Sequence, residues 1–377
     1  MNYATSLPAP ARIGDSLASV DTPALLLDLD AFEHNLDTLD AMLAGLPVRV
    51  RPHAKSHKCP EIARRQVARG AVGVCCQKVS EAEALVRGGI RDVLVVNEIV
   101  GVQKLARLSR LAGEARVGVA VDDPGNVDDL EHAAREARIT LDVLVEVDVG
   151  LNRCGVEPGS PAVSLARRVA DKGHLRFAGL QAYQGRAQHV RSFEDRRAAA
   201  CAAAGKVRAT LDLLAEEGLP AATVTGGGTG TFQFDAATGA YTEVQPGSYI
   251  FMDADYAQNL GEDGRPVQAF EQSLFVLTTV MSHPVPARAS VDAGLKAHSV
   301  DSGMPVVHGV PGARFTRASD EHGVIELDVP GTLSLGQKIR LVPGHCDPTV
   351  NLHDWFVCFR GDRVEDIWPI TARGAFY

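Results

Sequence analysis

Long apolar runs and basic patches are absent from this 377-residue sequence. No stretch of about 18 consecutive apolar residues occurs, so we expect no membrane-spanning helix. The first 23 residues contain no apolar segment of the kind found in secretory signal peptides. The formal net charge is −9 and no long basic patch stands out, so nucleic acid is not an expected partner.

Cysteine pairs with metal-binding spacing are also absent. The seven cysteines are scattered, and none forms a C-x-x-C pair that would indicate a structural zinc site. An odd number of cysteines without a signal peptide indicates free thiols in a reducing compartment. We therefore expect a cytoplasmic protein.

Short β-branched or apolar runs alternate with helix-patterned stretches through the first two thirds of the chain. This rhythm predicts a TIM-like (β/α)8 barrel over residues 24–265, and a doubly wound open sheet is the main alternative. The runs predicted to be barrel strands are 24–30, 48–54, 71–76, 92–98, 115–121, 141–149, 176–183 and 222–228.

The pattern changes after residue 265. Strand-like segments there alternate with Gly, Pro and Asp turns, which predicts a mostly antiparallel β domain over residues 266–377. The predicted class is therefore α/β, a barrel followed by a β domain.

Active sites of such barrels lie at the carboxyl ends of the strands. Lys55 follows the run 48–54 between His53 and His57, so it is a candidate catalytic amine at that rim. Lys58, three residues further on, is expected to open the next helix and to be a solvated surface lysine.

Two Gly-rich turns follow late strands of the predicted barrel, "TGGGTG" at 225–230 and "QPGSYI" at 245–250. Backbone N–H groups in such turns can approach a phosphate closely, and loops after the last two strands are its usual place. A phosphate site and a lysine on one rim together indicate pyridoxal phosphate.

A third set of residues lies in "GHCDPTVNLHDW", residues 344–355. If this segment is extended, His345 and Asp347 face the same way and could hold a divalent cation, with Zn, Mn and Mg all open. Asp148 could also be read as a metal carboxylate, but we expect it to make structural hydrogen bonds.

The longer motifs resemble one enzyme family. "RPHAKSHKCPEIA", "EVDVGLNRCGV", "TGGGTGTF", "QPGSYIFMDADY" and "GHCDPTVNLHDW" are similar to fold-type III pyridoxal-phosphate enzymes, the alanine-racemase-like fold. Within that fold the sequence resembles the group of D-threonine aldolases, 3-hydroxy-D-aspartate aldolases and D-serine dehydratases. The likeness extends over nearly the whole chain.

The resemblance implies roles for specific residues. It implies that Lys55 carries pyridoxal phosphate, that His345 and Asp347 bind the divalent metal, and that residues 1–23 join the C-terminal β domain. It also implies a homodimer with shared sites, in which the partner's "DAGLKAHSVDSG" and "SDEHGV" loops reach in, with His322 as the residue of interest. The further residues expected to hold the cofactor or line the substrate side are Gln77, Arg153, Tyr183, Gly228, Thr229, Gly247, Ser248 and Tyr256.

The implied reaction is cleavage of the Cα–Cβ bond of a β-hydroxy-D-amino acid, with His53 or His322 as candidate bases. Dehydratases of the group are expected to have cysteine at the second metal position, and Asp347 therefore favours an aldolase. D-Threonine and 3-hydroxyaspartate remain open as substrates, with Arg186 and His189 as candidate cations for the second carboxylate. The same fold would also suit an amino-acid racemase or a non-enzymatic protein that binds the cofactor.

Overall fold

The computed structural model describes residues 8–377, which form two sheets. We number the strands in chain order across both sheets. Within the described residues the first sheet consists of eight strands that pair in parallel: β2 (Arg49–Val50), β3 (Val74–Cys76), β4 (Asp92–Glu98), β5 (Arg116–Val121), β6 (Leu141–Glu146), β7 (Leu175–Gln181), β8 (Thr223–Gly226) and β9 (Glu243–Val244).

This sheet closes into a barrel between β2 and β3. The amide of Val72 donates to the carbonyl of Val50 at 3.0 Å, and that of Cys75 donates to Pro52 at 2.9 Å. β2 also pairs with β9 on its other side. β4, β5 and β6 are rich in Val, Leu and Ala and are mostly buried on both faces, as expected for a parallel sheet covered by helices.

Helices connect consecutive barrel strands, and polar caps fix where several of them begin. Asp123 accepts from the amides of Gly125 and Asn126, and Pro124 occupies the first turn of its helix. Within residues 8–377 the helices are α1 (Leu29–Leu43), α2 (Pro60–Ala68), α3 (Val79–Arg87), α4 (Val102–Ala112), α5 (Pro124–Ala137), α6 (Ser160–Ala170), α7 (Phe193–Glu216), α8 (Phe232–Thr238) and α9 (Cys346–Val350).

The second sheet is mostly antiparallel, so the predicted fold class is confirmed. An apolar core joins it to the barrel through α1, where Phe32 packs edge-on against Trp368 at 6.0 Å between ring centroids. Within the described chain its strands are β1 (Ala24–Asp28), β10 (Leu274–Val285), β11 (Arg288–Val291), β12 (Val306–His308), β13 (Ala313–Ala318), β14 (Gly323–Leu327), β15 (Lys338–Val342), β16 (Trp355–Arg360) and β17 (Arg363–Pro369).

The prediction that residues 24–30 form the first barrel strand is wrong. β1 lies in the second sheet, antiparallel to β10 and parallel to β16. A short apolar run fits any strand that is covered on both faces, so periodicity could not assign it to a sheet. The first barrel strand is β2, and the eighth is β9, which was not predicted from sequence. The predicted boundary at residue 24 therefore moves to the end of β1.

The described part of the N-terminal segment runs along the second sheet. The amide of Gly14 donates to the carbonyl of Val364 at 2.8 Å, and that of Leu17 donates to Asp362 at 3.0 Å. The rest of the prediction for residues 1–23 concerns residues 1–7, which lie outside the described range. Among residues 8–377, no helix has the length and apolar character needed to cross a membrane.

Candidate active site

The carboxyl ends of the barrel strands surround a cavity of about 410 Å³. Predicted and unpredicted residues share its wall. The predicted ones are His53, Lys55, Gln77, Arg153, Tyr183, Gly228, Thr229, Gly247, Ser248 and Tyr256. The loops that carry them follow different strands, yet the barrel brings their ends to one rim. The predicted order of the barrel strands was wrong by one strand. The predicted site was not affected, because every loop that follows a strand still lies at the same end of the barrel.

Lys55 lies in a single 3-10 turn, Ala54–Ser56, directly after β2. Its amine contacts the Oδ2 carboxylate oxygen of Asp347, a residue of the second domain. Burial lowers the pKa of Lys55, but the Asp347 carboxylate outweighs it and raises this pKa above its ordinary value. The Lys55 amine is therefore charged in this arrangement. A second cation that paired with Asp347 would weaken the contact between this carboxylate and the Lys55 amine.

His53 is held on both sides of its ring. Its Nδ1 accepts from the Lys55 amide at 3.3 Å, and its Nε2 lies 3.0 Å from the Gln77 side-chain amide. Because Nδ1 is the acceptor, Nε2 carries the proton and the amide oxygen of Gln77 is the consistent partner. Burial, followed by the charge of Lys55, keeps the pKa of His53 well below its ordinary value. The ring is neutral and positions its neighbours.

The prediction that Lys58 is a solvated surface lysine is wrong. Lys58 is buried, adopts a left-handed backbone with φ of 52°, and its amine contacts Glu81. The other Glu81 oxygen accepts from the amides of Gln77 at 2.8 Å and Lys78 at 3.0 Å. Because α2 begins only at Pro60, Lys58 belongs to the preceding loop and turns inward. This ion pair fixes the turn that places Gln77 on the cavity wall.

Two loops of the wall have backbone amides that are free to bind an anion. The amides of Gly228, Thr229, Gly247 and Ser248 donate no hydrogen bond to any of residues 8–377. A Cβ at Gly228 would lie 2.5 Å from the Gln188 side chain, so a larger residue does not fit there. Unpaired amides on close-packed glycine loops suit the phosphate of pyridoxal phosphate. The residues present therefore fit this cofactor.

Two tyrosines and a pair of glutamines complete the wall. Burial raises the pKa of Tyr183 while the nearby Lys55 lowers it. Tyr256 packs against the ring of His189 at 5.1 Å between centroids. Gln181 and Gln245 exchange hydrogen bonds through their side-chain amides at 3.2 and 2.9 Å. Gln181 was predicted only as the end of a strand, and Gln245 was missed because β9 was not predicted.

The predicted metal ligands lie at the start of α9. His345 is extended at the N-cap, but Asp347 lies in the first helical turn, so the prediction of an extended segment is wrong there. The pKa of Asp347 is held below its ordinary value against the effect of burial, first by the charge of Lys55 and then by that of His345, so His345 interacts electrostatically with Asp347. Ser248 donates to the second Asp347 oxygen at 3.2 Å. Cys346 lies between the two ligands, is buried, and its amide donates to Asp253 at 2.9 Å.

Asp301 is a site residue that the sequence did not reveal. Its Oδ2 lies 2.8 Å from Nδ1 of His345, a residue 44 positions later in the chain. A carboxylate on one ring nitrogen is the usual support for a metal-binding histidine, and it leaves Nε2 for the metal. Imidazole and carboxylate donors fit a divalent cation. Within residues 8–377 no third His, Cys, Asp or Glu joins this pair, so water and substrate would complete the coordination.

His322 does not line the cavity of its own chain. It is exposed in the turn between β13 and β14, where its carbonyl accepts from the Ser319 amide at 2.8 Å. The second predicted loop packs against this turn, since the amide of Leu295 donates to the Ser319 carbonyl at 2.8 Å. Both loops therefore lie together, and a role for His322 across a dimer interface stays a prediction.

Residues 27–255 match the family model described as the alanine racemase N-terminal domain, and residues 273–359 match a serine dehydratase domain model. A D-threonine aldolase from Arthrobacter sp is 51% identical over 98% of this chain and 97% of its own length. A 3-hydroxy-D-aspartate aldolase from Paracoccus denitrificans is 47% identical over 100% of this chain and 98% of its own. The crystal structure of D-threonine aldolase from Filomicrobium marinum superposes with a TM-score of 0.96 at 53% identity, covering 98% of this chain and 100% of that one.

Proposed function

The chain belongs to the alanine racemase N-terminal domain family, and we propose that it is a lyase that cleaves β-hydroxy-D-amino acids with pyridoxal phosphate and a divalent metal. D-Threonine, split into glycine and acetaldehyde, is the reference substrate. The contact between Lys55 and Asp347 carries this proposal, because it puts a metal-binding carboxylate directly at the candidate cofactor amine. The similarity to D-threonine aldolases over nearly the full length supports it.

The two bound groups would supply distinct chemistry: pyridoxal phosphate takes up the electron pair left on Cα, and the cation lowers the pKa of the β-hydroxyl. Lys55 would hold the cofactor, and the free amides of Gly228 and Gly247 would hold its phosphate. Arg153 and Gln77 are placed to contact the cofactor ring. In the balanced reaction the hydroxyl loses its proton, the Cα–Cβ bond breaks, and Cα gains a proton.

The two candidates for the general base, His53 and His322, differ in their surroundings. His53 has both nitrogens engaged and a lowered pKa, so it suits a positioning role. His322 could act only across a dimer interface. We propose a homodimer on this basis, together with the exposure of the turn that carries His322. We propose Mn²⁺ or Mg²⁺ as the cation, with Zn²⁺ as the alternative. We also propose a cytoplasmic location, because all seven cysteines are free thiols.

The residue at position 347 separates an aldolase from a dehydratase. A dehydratase would break the Cβ–O bond and release ammonia, and its second metal ligand is expected to be a thiolate. Here the carboxylate of Asp347 meets Lys55, while the adjacent Cys346 is fully buried. A racemase would need no such ligand pair, and a simple cofactor-binding protein would need no second domain.

A 3-hydroxy-D-aspartate aldolase is the second candidate, favoured by one observation. Lys78 lines the cavity and forms no ion pair with any of residues 8–377, so a second substrate carboxylate could pair with it. The cations proposed from sequence are less suitable. His189 lies 2.5 Å from Asp255 and is already paired with that carboxylate, and Arg186 is outside the cavity wall.

The test uses purified protein with pyridoxal phosphate and Mn²⁺, incubated with D-threonine, and assays acetaldehyde and ammonia. We expect acetaldehyde without ammonia, lost on chelation and in Lys55→Ala. Lys104→Ala is the matched control, because Lys104 is exposed on α4. Ammonia and a keto acid would overturn the aldolase, and full activity in Lys55→Ala would overturn the site.

A further inference from the structure

A second group of potential metal ligands lies on the barrel rim at the ends of β4, β5 and β6. Glu98 is the last residue of β4, Asp122 directly follows β5, and Cys154 lies in the loop after β6. One ligand atom from each lies within 4.8 Å of the other two. Neither His345 nor Asp347 belongs to this group, although Cys154 also lines the cavity of the candidate active site.

A buried carboxylate lies beside this group. Glu146 ends β6 with 5% of its surface exposed, and its Oε2 has no hydrogen-bond partner. The pairing of Val121 with Val145 puts the next residues, Asp122 and Glu146, side by side. Both also lie against Gly155.

The contacts of Gly155 show how close Asp122 and Glu146 lie to each other. The Gly155 amide donates to Asp122 at 2.9 Å, and a Cβ on Gly155 would lie 3.2 Å from Cγ of Glu146. The Oε1 atom of Glu98 is likewise buried and without a partner. Two carboxylate oxygens of one cluster therefore lack the donors that buried charges require.

No cation among residues 8–377 forms an ion pair with this cluster. Arg153 adjoins Cys154 in sequence and lines the cofactor cavity, and its charge lowers the pKa of Glu146 without offsetting the effect of burial. Burial, and then the carboxylate of Glu98, raise the pKa of Glu146 well above its ordinary value. The cluster therefore needs either bound protons or a bound cation.

We propose that Glu98, Asp122 and Cys154, with the buried Glu146 beside them, bind a divalent transition-metal ion at a second site. A thiol among carboxylates favours Zn²⁺ or Co²⁺ over Mg²⁺, because sulfur is a poor ligand for hard cations. An ion at this site joins the ends of β4 and β5 to the loop that carries Cys154 and Arg153. Its role is to hold that loop at the edge of the cofactor cavity.

Co²⁺ is the probe, because thiolate ligation gives a near-ultraviolet charge-transfer band. Chelator-treated protein with bound pyridoxal phosphate is titrated with Co²⁺, and metal per chain is measured by mass spectrometry. We expect two ions per chain and the band. Asp347→Ala should keep the band and lose one ion, whereas Cys154→Ser should lose the band. Glu98→Gln should lose one ion, and Glu114→Gln, an exposed control, neither.

If the carboxylates of this cluster were protonated and bound no metal ion, the Co²⁺ titration would give a different result. One ion per chain that disappears in Asp347→Ala, with no band, would overturn the proposal, as would a band that persists in Cys154→Ser. Should Glu98→Gln fold poorly, the half-exposed Cys154 offers the milder change. Melting temperature gives a second readout: Co²⁺ should raise it in Asp347→Ala but not in Asp347→Ala combined with Cys154→Ser.

Discussion

The two walls of the candidate active site are built in different ways. The barrel wall recognises its ligand through backbone amides on glycine loops and through side chains whose polar atoms are held by one another, as His53 and Gln77 are. The wall from the second domain consists of a few charged side chains, His345 and Asp347, supported by Asp301. The barrel therefore supplies backbone amides and cationic side chains, the second domain supplies the imidazole and the carboxylates, and they meet where Lys55 contacts Asp347.

The strongest test of this division is Asp347→Ala. It removes a proposed metal ligand and no residue of the barrel, so we expect the cofactor to bind while D-threonine cleavage falls about 10³-fold, equal to about 4 kcal/mol of barrier. Cofactor absorbance and the rate of acetaldehyde formation measure the two effects separately. Asp354→Ala, which changes a nearby carboxylate outside the cavity, should keep activity. If cofactor binding and activity fell by the same factor, Asp347 would be needed for cofactor binding as well, and the two walls would not have separate functions.

The barrel wall carries its own buried carboxylate below the glycine loop. Asp235 accepts from the Thr231 hydroxyl at 2.6 Å, and burial raises the pKa of Asp235 to about 7. Between about pH 4 and pH 7 the folded chain holds a proton that the unfolded chain has released, so stability falls as pH rises through this range.

Asp235→Asn removes this dependence. From pH 5 to pH 8, the free energy of unfolding of the parent should fall relative to that of the variant by about 3 kcal/mol. Urea unfolding at both pH values, at equal cofactor occupancy, measures the difference. Asp212→Asn on the exposed face of α7 is the control. Parallel pH profiles for the parent and Asp235→Asn would show that Asp235 is ionised in the folded protein throughout.

Asp301 tests the charged wall at its outer edge. Asp301→Ala leaves His345 in place but removes the carboxylate 2.8 Å from its ring, so Mn²⁺ affinity at the His345–Asp347 site should fall about 10- to 100-fold. Calorimetric titration of Mn²⁺, counting only the ion lost in Asp347→Ala, measures this. Asp212→Ala, on the exposed face of α7, is the control. An unchanged affinity would make the contact incidental.

The sequence predicted the barrel wall better than the charged wall, for a physical reason. Each barrel-wall residue follows a strand, and parallel strands bring such residues to one rim whichever strand is counted first. His345 and Asp347 could be found because they are near neighbours in sequence. Asp301 approaches through a loop 44 residues away, and no local pattern marks it. Lys58 was misplaced because its inward turn depends on a left-handed backbone and on Glu81.

The smallest expected effect concerns Lys78, which lies on the barrel wall together with the cations Lys55 and Arg153. If it binds a second carboxylate, Lys78→Met should raise KM for D-3-hydroxyaspartate about 10-fold, the value of one charge-assisted hydrogen bond near 1.5 kcal/mol, and change KM for D-threonine less than about 2-fold. Lys104→Met controls for loss of an exposed lysine. Equal increases for both substrates would assign Lys78 to the carboxylate that they share, and the barrel wall would then contribute charge to every substrate. If KM increased for neither substrate, Lys78 would bind neither substrate carboxylate. Other residues of the site would then have to bind these carboxylates.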